Sequence, residues 1–154
     1  MIKVLFVCLG NICRSAMAQG ILEQKVKEHN LPIKVDSAGT CNHHVGQQPD
    51  QRMQKKGLEH NIDISNQQAR QFEVLDFDRF DYIFAMDETN LNDVLQLAKN
   101  ETHTLKARLF LDYTYPNQQK SVPDPYFGGE EGFEEVYQLL NEACNAFIKS
   151  IKNE

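Results

Sequence analysis

The sequence has 154 residues, with 22 acidic and 16 basic side chains, and therefore a formal net charge of -6. A chain of this length can bury one core without disulfides or metals, and no basic run gives it the electrostatic footprint of a nucleic-acid-binding protein. We therefore expect a single domain over residues 1–154 that binds no nucleic acid.

The first ten residues are apolar, but they are too few to span a membrane. They also lack the basic start and the small-residue cleavage site of a signal peptide. We therefore expect a cytoplasmic protein without a membrane anchor. In that compartment its four cysteines, Cys8, Cys13, Cys41 and Cys144, are expected to stay thiols.

Short apolar runs alternate with stretches of helical periodicity along the chain. Strands are predicted at 3–8, 33–38, 82–85 and 105–111, and helices at 15–30, at 49–60, after Asp87 as a helix cap, and along an apolar stripe at 133–151. This alternation predicts an α/β domain with a parallel sheet and helices on both faces. Ligands of such sheets bind beyond the carboxyl ends of the strands, which is where Cys8 lies. Cys144 falls on the C-terminal stripe and is expected in the core.

A Cys-x5-Arg segment followed by serine lies between the first strand and the first helix. Gly10 and Asn11 tolerate the left-handed backbone of a tight ring, which turns consecutive N–H groups toward an anion. The next helix adds its positive end, and an arginine guanidinium binds two phosphate oxygens at once. The predicted phosphate-binding loop consists of Leu9, Gly10, Asn11, Ile12, Cys13, Arg14 and Ser15.

The same positive field stabilises a thiolate, so we expect Cys8 to be ionised at neutral pH and to attack phosphorus. Ser15 is placed to donate to the sulfur. The departing oxygen then needs a proton from a general acid. Asp124, between two prolines and before two glycines, lies on a defined but irregular loop and is predicted to be that acid, partly buried and protonated. Other aspartates that remain open for this role are Asp76, Asp78, Asp81 and Asp87.

In order and spacing these segments resemble the low-molecular-weight protein tyrosine phosphatase family along nearly the whole chain. The resemblance rests on CLGNICRS from Cys8, DSAGT from Asp36, AMD from Ala85 and DPYF from Asp124. It implies a single three-layer domain around a four-stranded parallel sheet, with no metal and no organic cofactor. It also implies that Cys8 is the nucleophile, Arg14 the phosphate clamp, and Asp124 first the acid and then the base.

The resemblance further implies supporting roles around the loop. Asn11 and Ser37 hold the loop by hydrogen bonds, and Ser15 stabilises the thiolate. Tyr126 lies in the wall of the substrate crevice. Relatives with a second loop cysteine, which matches Cys13, form a reversible disulfide to the nucleophile that protects it from deeper oxidation.

The rim of the crevice departs from the family pattern. His43 and His44 follow Cys41 where some relatives carry a tryptophan, so the peptide preference is left open. Ile12 stands where a branch that resembles arginine phosphatases has threonine, and therefore favours tyrosine phosphate. The partners implied are phosphotyrosine-containing proteins or peptides, with inorganic phosphate as product and weak inhibitor, and the chain is expected to be a monomer.

Three other functions remain open. An arsenate reductase on the same scaffold needs an additional cysteine pair, and residues 78–100 contain no cysteine. A phosphotyrosine-binding module without catalysis would lack the nucleophile, the arginine or the acid. A phosphotransfer protein that carries phosphate on cysteine shares the architecture, but the arginine and the acid fit hydrolysis better.

A metal site at Cys41, His43 and His44 has no partner motif at ligand spacing.

Overall fold

The computed structural model describes residues 1–153, in which strands alternate with helices. In chain order the elements are β1 (Ile2–Cys8), α1 (Arg14–Glu28), β2 (Ile33–Gly39), α2 (Gln51–Glu59), α3 (Asp76–Arg79), β3 (Tyr82–Ala85), α4 (Glu88–Gln96), α5 (Glu101–Lys106), β4 (Ala107–Leu109), a 3₁₀ helix (Phe110–Tyr113) and α6 (Glu130–Lys152). The alternation predicted from the apolar runs is confirmed.

The strands form one parallel sheet in the order β2-β1-β3-β4. Cys8 of β1 pairs with Gly39 of β2, and Val7 pairs with Ala85 of β3. The carboxyl ends of three neighbouring strands therefore meet at one edge, where α/β sheets bind their ligands. The predicted four-stranded parallel sheet is confirmed, and Cys8 lies at its binding edge.

Helices cover both faces of the sheet because successive side chains of β1 point to opposite faces. Val4 and Phe6 belong to the larger core, together with buried side chains of α1 and α6. Leu5 and Val7 belong to a second core, together with side chains of α3 and α4. The chain is therefore a single domain of three layers, as the sequence predicted.

The fourth strand differs from its predicted bounds. The apolar run at 105–111 contains a strand only at Ala107–Leu109. The residues before it form α5, because the Asn100 side chain accepts a hydrogen bond from the His103 N–H at 2.9 Å and caps a helix. A 3₁₀ helix follows the strand at once. The strand exists, but the prediction that it spans 105–111 is wrong.

The C-terminal helix α6 turns its predicted apolar stripe toward the core. Phe133, Leu140 and Phe147 are buried, as is Cys144, so the prediction of a core cysteine is confirmed. Burial raises the pKa of the Cys144 thiol. Within residues 1–153, none of the helices combines the length and the apolar character that crossing a membrane requires.

Replacing Phe147 by alanine is expected to destabilise the domain by about 3–5 kcal/mol, because the cavity would lie where α6 meets the sheet. The Phe147 ring is fully buried and packs edge-on against Phe84 and Tyr82, with centroids 5.3 and 5.2 Å away. Urea unfolding measures the loss. Phe127→Ala is the matched control, because Phe127 is 94% exposed. Equal urea midpoints for the two variants would contradict the assignment of the core.

Candidate active site

The loop between β1 and α1 bends tightly at the Cys8 thiol. Asn11 has a φ of 59°, in the left-handed region that asparagine tolerates better than most residues. The prediction that Gly10 also needs this region is wrong, because its φ is not positive. A Cβ at Gly10 would instead lie 2.9 Å from Cδ2 of His44. A side chain at this position would therefore require the His44 ring at the crevice rim to shift.

The end of β2 supports this loop from the side. The Cys8 carbonyl accepts a hydrogen bond from the Thr40 N–H at 2.9 Å, and the Leu9 carbonyl accepts one from the Cys41 N–H at 3.0 Å. A Cβ on Gly39 would lie only 2.7 Å from the Leu9 carbonyl oxygen. The glycine of the DSAGT segment thus lets the two loops pack backbone against backbone.

A hydrogen-bond network fixes the Ser15 hydroxyl group next to the Cys8 thiol. Asn11 Nδ2 donates to Ser15 Oγ (2.8 Å) and to Ser37 Oγ (2.9 Å), while its Oδ1 accepts from the Arg70 N–H (3.0 Å). Since a backbone N–H can only donate, this contact fixes which way the amide points. Ser15 Oγ lies 3.0 Å from Cys8 Sγ. Because Ser15 already accepts from Asn11, its own hydrogen is available to the sulfur.

Arg14 is the first residue of α1, and it is only 3% exposed. Its Nη1 donates to Asp87 Oδ2 at 2.7 Å and to the Val122 carbonyl at 3.1 Å. Burial opposes the positive charge, but Cys8 and Asp87 together raise the pKa of Arg14 above its ordinary value. A fixed, charged guanidinium therefore lies beside the thiol, where it can bind the oxygens of a phosphate group.

Asp124 lies on the loop that precedes α6. Its Oδ2 is 3.7 Å from Arg14 Nη2, and its Oδ1 accepts a hydrogen bond from the Tyr126 N–H at 3.0 Å. The side chain is 43% exposed, and is thus more open to solvent than the partial burial expected from the sequence. The carboxyl group is nevertheless placed at the same pocket as the Cys8 thiol and the arginine.

The other aspartates considered for the acid have partners elsewhere. Asp87 forms the salt bridge to Arg14 described above. Asp76 is buried and binds Arg70 at 3.0 Å. Asp78 contacts a histidine of α5 at 3.2 Å, and Asp81 accepts a hydrogen bond from a backbone N–H of β1 at 2.8 Å. The geometry therefore favours Asp124 over these alternatives.

The site opens into a pocket of about 180 Å³ at the edge of the sheet. The His44 and Tyr126 rings lie on its rim with their centroids 6.4 Å apart. The lining residues are Cys8, Leu9, Gly10, Ile12, Cys13, Arg14, Cys41, His43, His44, Asp124, Tyr126 and Phe127. The predicted crevice residues and five of the seven predicted loop residues thus line one pocket, which has aromatic side chains at its mouth, whereas Asn11 and Ser15 do not line it.

Two further cysteines line this pocket. Cys13 is buried, and burial, together with the negative charge of Asp50, raises the pKa of its thiol. Cys41 is half-buried and lies near His43 and His44 at the rim. In the part of the chain that the structure describes, no three histidine, cysteine, aspartate or glutamate side chains are grouped to hold a metal ion.

The sequence did not predict the contacts that two residues, Asp87 and Gln19, make around the site. Asp87 was predicted as a helix cap, and its Oδ1 does accept from the Asn90 N–H at 2.7 Å. Its second oxygen binds Arg14. This contact could have been inferred, because Asp87 follows β3, which pairs with β1. Gln19 on α1 accepts a hydrogen bond from Ser37 Oγ at 2.6 Å. No local sequence signal marks this contact between a helix and a neighbouring strand.

A thiol at the end of a central parallel strand, beside a buried arginine and across a pocket from an aspartate, is the arrangement of a cysteine-dependent phosphatase. The chain belongs to the low molecular weight phosphotyrosine protein phosphatase family, whose model matches residues 3–154.

Individual relatives agree with this assignment. The human low molecular weight phosphotyrosine protein phosphatase is 43% identical over 150 residues, which cover 96% of this chain and 94% of the human protein. A protein tyrosine phosphatase from Entamoeba histolytica has a TM-score of 0.93 and 39% identity, with 99% of this chain and 98% of that one covered. An arginine phosphatase from Drosophila has a TM-score of 0.91 and 38% identity, with 98% of both chains covered.

Proposed function

We propose that this protein hydrolyses phosphotyrosine through a cysteinyl-phosphate intermediate. The observation that carries the proposal is the convergence of Cys8, Arg14 and Asp124 on one pocket at the carboxyl edge of the sheet. A binding module needs only the arginine and the loop, whereas the thiol and the carboxyl group supply a nucleophile and an acid as well.

In the first step the Cys8 thiolate attacks phosphorus, and the bond from phosphorus to the tyrosine oxygen breaks. Asp124 gives its proton to that oxygen, so the leaving group departs as neutral tyrosine and the carboxyl becomes a carboxylate. Arg14 and the backbone N–H groups of the loop hold the phosphoryl oxygens during transfer. The products of this step are free tyrosine on the substrate protein and phosphate on sulfur.

In the second step water replaces the sulfur. The Asp124 carboxylate takes a proton from the water molecule, whose oxygen attacks phosphorus as the sulfur–phosphorus bond breaks. Cys8 returns to a thiolate, and Asp124 regains its proton. The Ser15 hydroxyl, 3.0 Å from the sulfur, stabilises the thiolate that leaves. Inorganic phosphate is the product, and it is expected to bind the same loop as a weak inhibitor.

The shape of the pocket supports an aryl phosphate as substrate. Ile12 contributes an apolar wall, and Tyr126 and Phe127 place aromatic rings at the mouth. Flat aromatic groups pack well against such surfaces. Since one structural relative is an arginine phosphatase, phosphoarginine is the competing substrate to test.

The deciding assay compares phosphotyrosine, phosphoserine and phosphoarginine peptides of one sequence, with and without a chelator. We expect phosphotyrosine to be preferred and the chelator to have no effect. Acid quenching during turnover should trap one phosphoryl group on Cys8, detected by peptide mass. Faster release of phosphate from phosphoarginine, or turnover without a trapped cysteinyl phosphate, would overturn the proposal.

Asp124→Ala is expected to lower kcat/KM for phenyl phosphate by about 10²-fold or more, which is the usual contribution of a general acid. Asp63→Ala is a matched control, because Asp63 also accepts from the N–H two residues on, at 2.9 Å, but outside the pocket. A kcat/KM for Asp124→Ala as high as that of Asp63→Ala would show that Asp124 is only a turn residue.

The remaining sequence predictions concern the surroundings of this activity. We propose phosphotyrosine-containing proteins as partners, a monomeric state and a cytoplasmic location, and sedimentation of the purified chain tests the second of these. A reversible disulfide between Cys13 and Cys8 also stays a prediction, which peptide mapping after mild peroxide treatment would test.

A further inference from the structure

The loop at 123–128 carries the proposed acid and a wall of the crevice, yet several of its contacts are internal or long. The Tyr126 N–H donates to the Asp124 side chain, and the Gly128 N–H donates to the Pro125 carbonyl at 3.0 Å. The ion pair from Asp124 to Arg14 is long, at 3.7 Å. A contact from another element would therefore further restrict the distance between Asp124 and the thiol.

Arg52 of α2 provides such a contact at Tyr126, two residues after Asp124. The centre of its guanidinium lies 5.4 Å from the centroid of the Tyr126 ring and 4.8 Å from that of Phe133. Both distances are within the range of about 6 Å for cation–π contacts. Phe133 is buried in the first turn of α6. Arg52 thus joins the ring at the mouth of the pocket to the helix that follows the loop.

Arg52 is in turn fixed to the phosphate loop through Asp50. Its Nε and Nη2 donate to the two oxygens of the Asp50 carboxylate at 3.1 and 2.9 Å. The Asp50 N–H donates to the carbonyl of Ile12 at 2.8 Å. Burial acts against the carboxylate, but the hydrogen bonds from Arg52 hold the pKa of Asp50 below its usual range. The pair therefore stays ionised in weakly acidic and neutral solution.

We infer that Arg52 is a positioning residue that holds the loop bearing Asp124 and Tyr126 over the phosphate loop. The inference rests on the proposed phosphatase function. The path runs from Ile12 through Asp50 and Arg52 to Tyr126, and so couples the loop of the nucleophile to the loop of the acid. Arg52 acts through Asp124, and its loss should weaken protonation of the leaving group more than binding of phosphate.

Leaving groups of different basicity test this role directly. Phenolate needs the proton from the acid, whereas 4-nitrophenolate is a weak base and leaves without much help. Arg52→Met should lower kcat/KM for phenyl phosphate by about 10-fold, because misplaced catalytic groups lose rate steeply, but change kcat/KM for 4-nitrophenyl phosphate by less than about 3-fold. Arg52→Lys keeps the charge over the ring but loses the two-pronged bond to Asp50, and should recover part of the rate.

Two comparisons complete the experiment. In an Asp124→Ala background, Arg52→Met should have no further effect on phenyl phosphate, because the group it positions is gone. Arg108→Met is the matched control, since Arg108 is also exposed and lies 5.7 Å from a tyrosine ring, that of Tyr113. It should behave like the parent.

The inference is overturned if Arg52→Met slows both substrates equally, matches Arg108→Met on both, or adds its full effect to Asp124→Ala. An inactive parent, or an active Cys8→Ser protein, would overturn the proposed function and this inference with it. If the parent is active and Arg52→Met has the same kcat/KM values as the parent, this inference alone is overturned.

Discussion

Cys8→Ser is expected to lower kcat for phosphotyrosine peptides by about 10⁴-fold or more, as loss of the nucleophile does in other enzymes with covalent intermediates. A serine hydroxyl is not ionised at neutral pH, so the positive field of the loop has no anion to stabilise. Arg14 and the loop backbone stay in place, so the variant should still bind a phosphotyrosine peptide. Initial rates and calorimetric titration measure the two properties separately.

Cys144→Ala is the control for this substitution, because Cys144 is another buried cysteine but belongs to α6 and the core. It is expected to keep the activity of the parent. A Cys8→Ser protein with more than about 1% of the parent rate would exclude a cysteinyl phosphate as the main route. A Cys8→Ser protein that neither turns over nor binds the peptide would show that the substitution disturbs the loop itself.

The sequence predicts the loop between β1 and α1 well, because the signals for this part of the site are local. The apolar run of β1, the segment from Cys8 to Ser15 and the helical spacing of α1 follow one another directly. Asn11 has a positive φ, and its side chain makes the hydrogen bonds that hold the loop. Gly10 could not be interpreted correctly in the same way, because it packs against the His44 ring, which is distant in sequence.

Two kinds of feature escaped prediction: a short helix within an apolar run, and contacts between distant elements. The apolar run at 105–111 satisfies a strand pattern, but the Asn100 cap begins a helix whose last residue is Lys106. Short apolar runs do not distinguish between these two outcomes. The bond from Ser37 to Gln19 and the contact of Arg52 with Tyr126 each join elements that the fold alone brings together. Such pairs have no fixed spacing in the sequence.

Arg14→Lys is expected to lower kcat/KM for phosphotyrosine peptides by about 10³-fold, which is the lower range for an arginine that stabilises a transferring phosphoryl group. Arg14 Nη1 is already committed to Asp87 and the Val122 carbonyl. The other side of the planar guanidinium remains for phosphate. A lysine ammonium is a single point of charge, and cannot hold the half-buried carboxylate of Asp87 and two phosphoryl oxygens in the same geometry. Both a higher KM and a lower kcat should result.

Asp87→Asn removes the negative charge of the Arg14–Asp87 salt bridge but leaves an oxygen that can accept from the arginine. The amide oxygen can keep the hydrogen bond from Arg14 Nη1, but the amide NH2 then replaces the oxygen that accepts from the Asn90 N–H. The arginine should remain in place while the cap of α4 is lost, and kcat/KM should fall only about 10-fold through looser positioning. Arg108→Lys, at an exposed arginine outside the pocket, controls for the loss of a guanidinium as such. If Arg14→Lys stays within about 10-fold of the parent, charge alone suffices and the planar clamp is not required. If Asp87→Asn is the more damaging of the two, the carboxylate of Asp87 acts in the reaction itself rather than through Arg14.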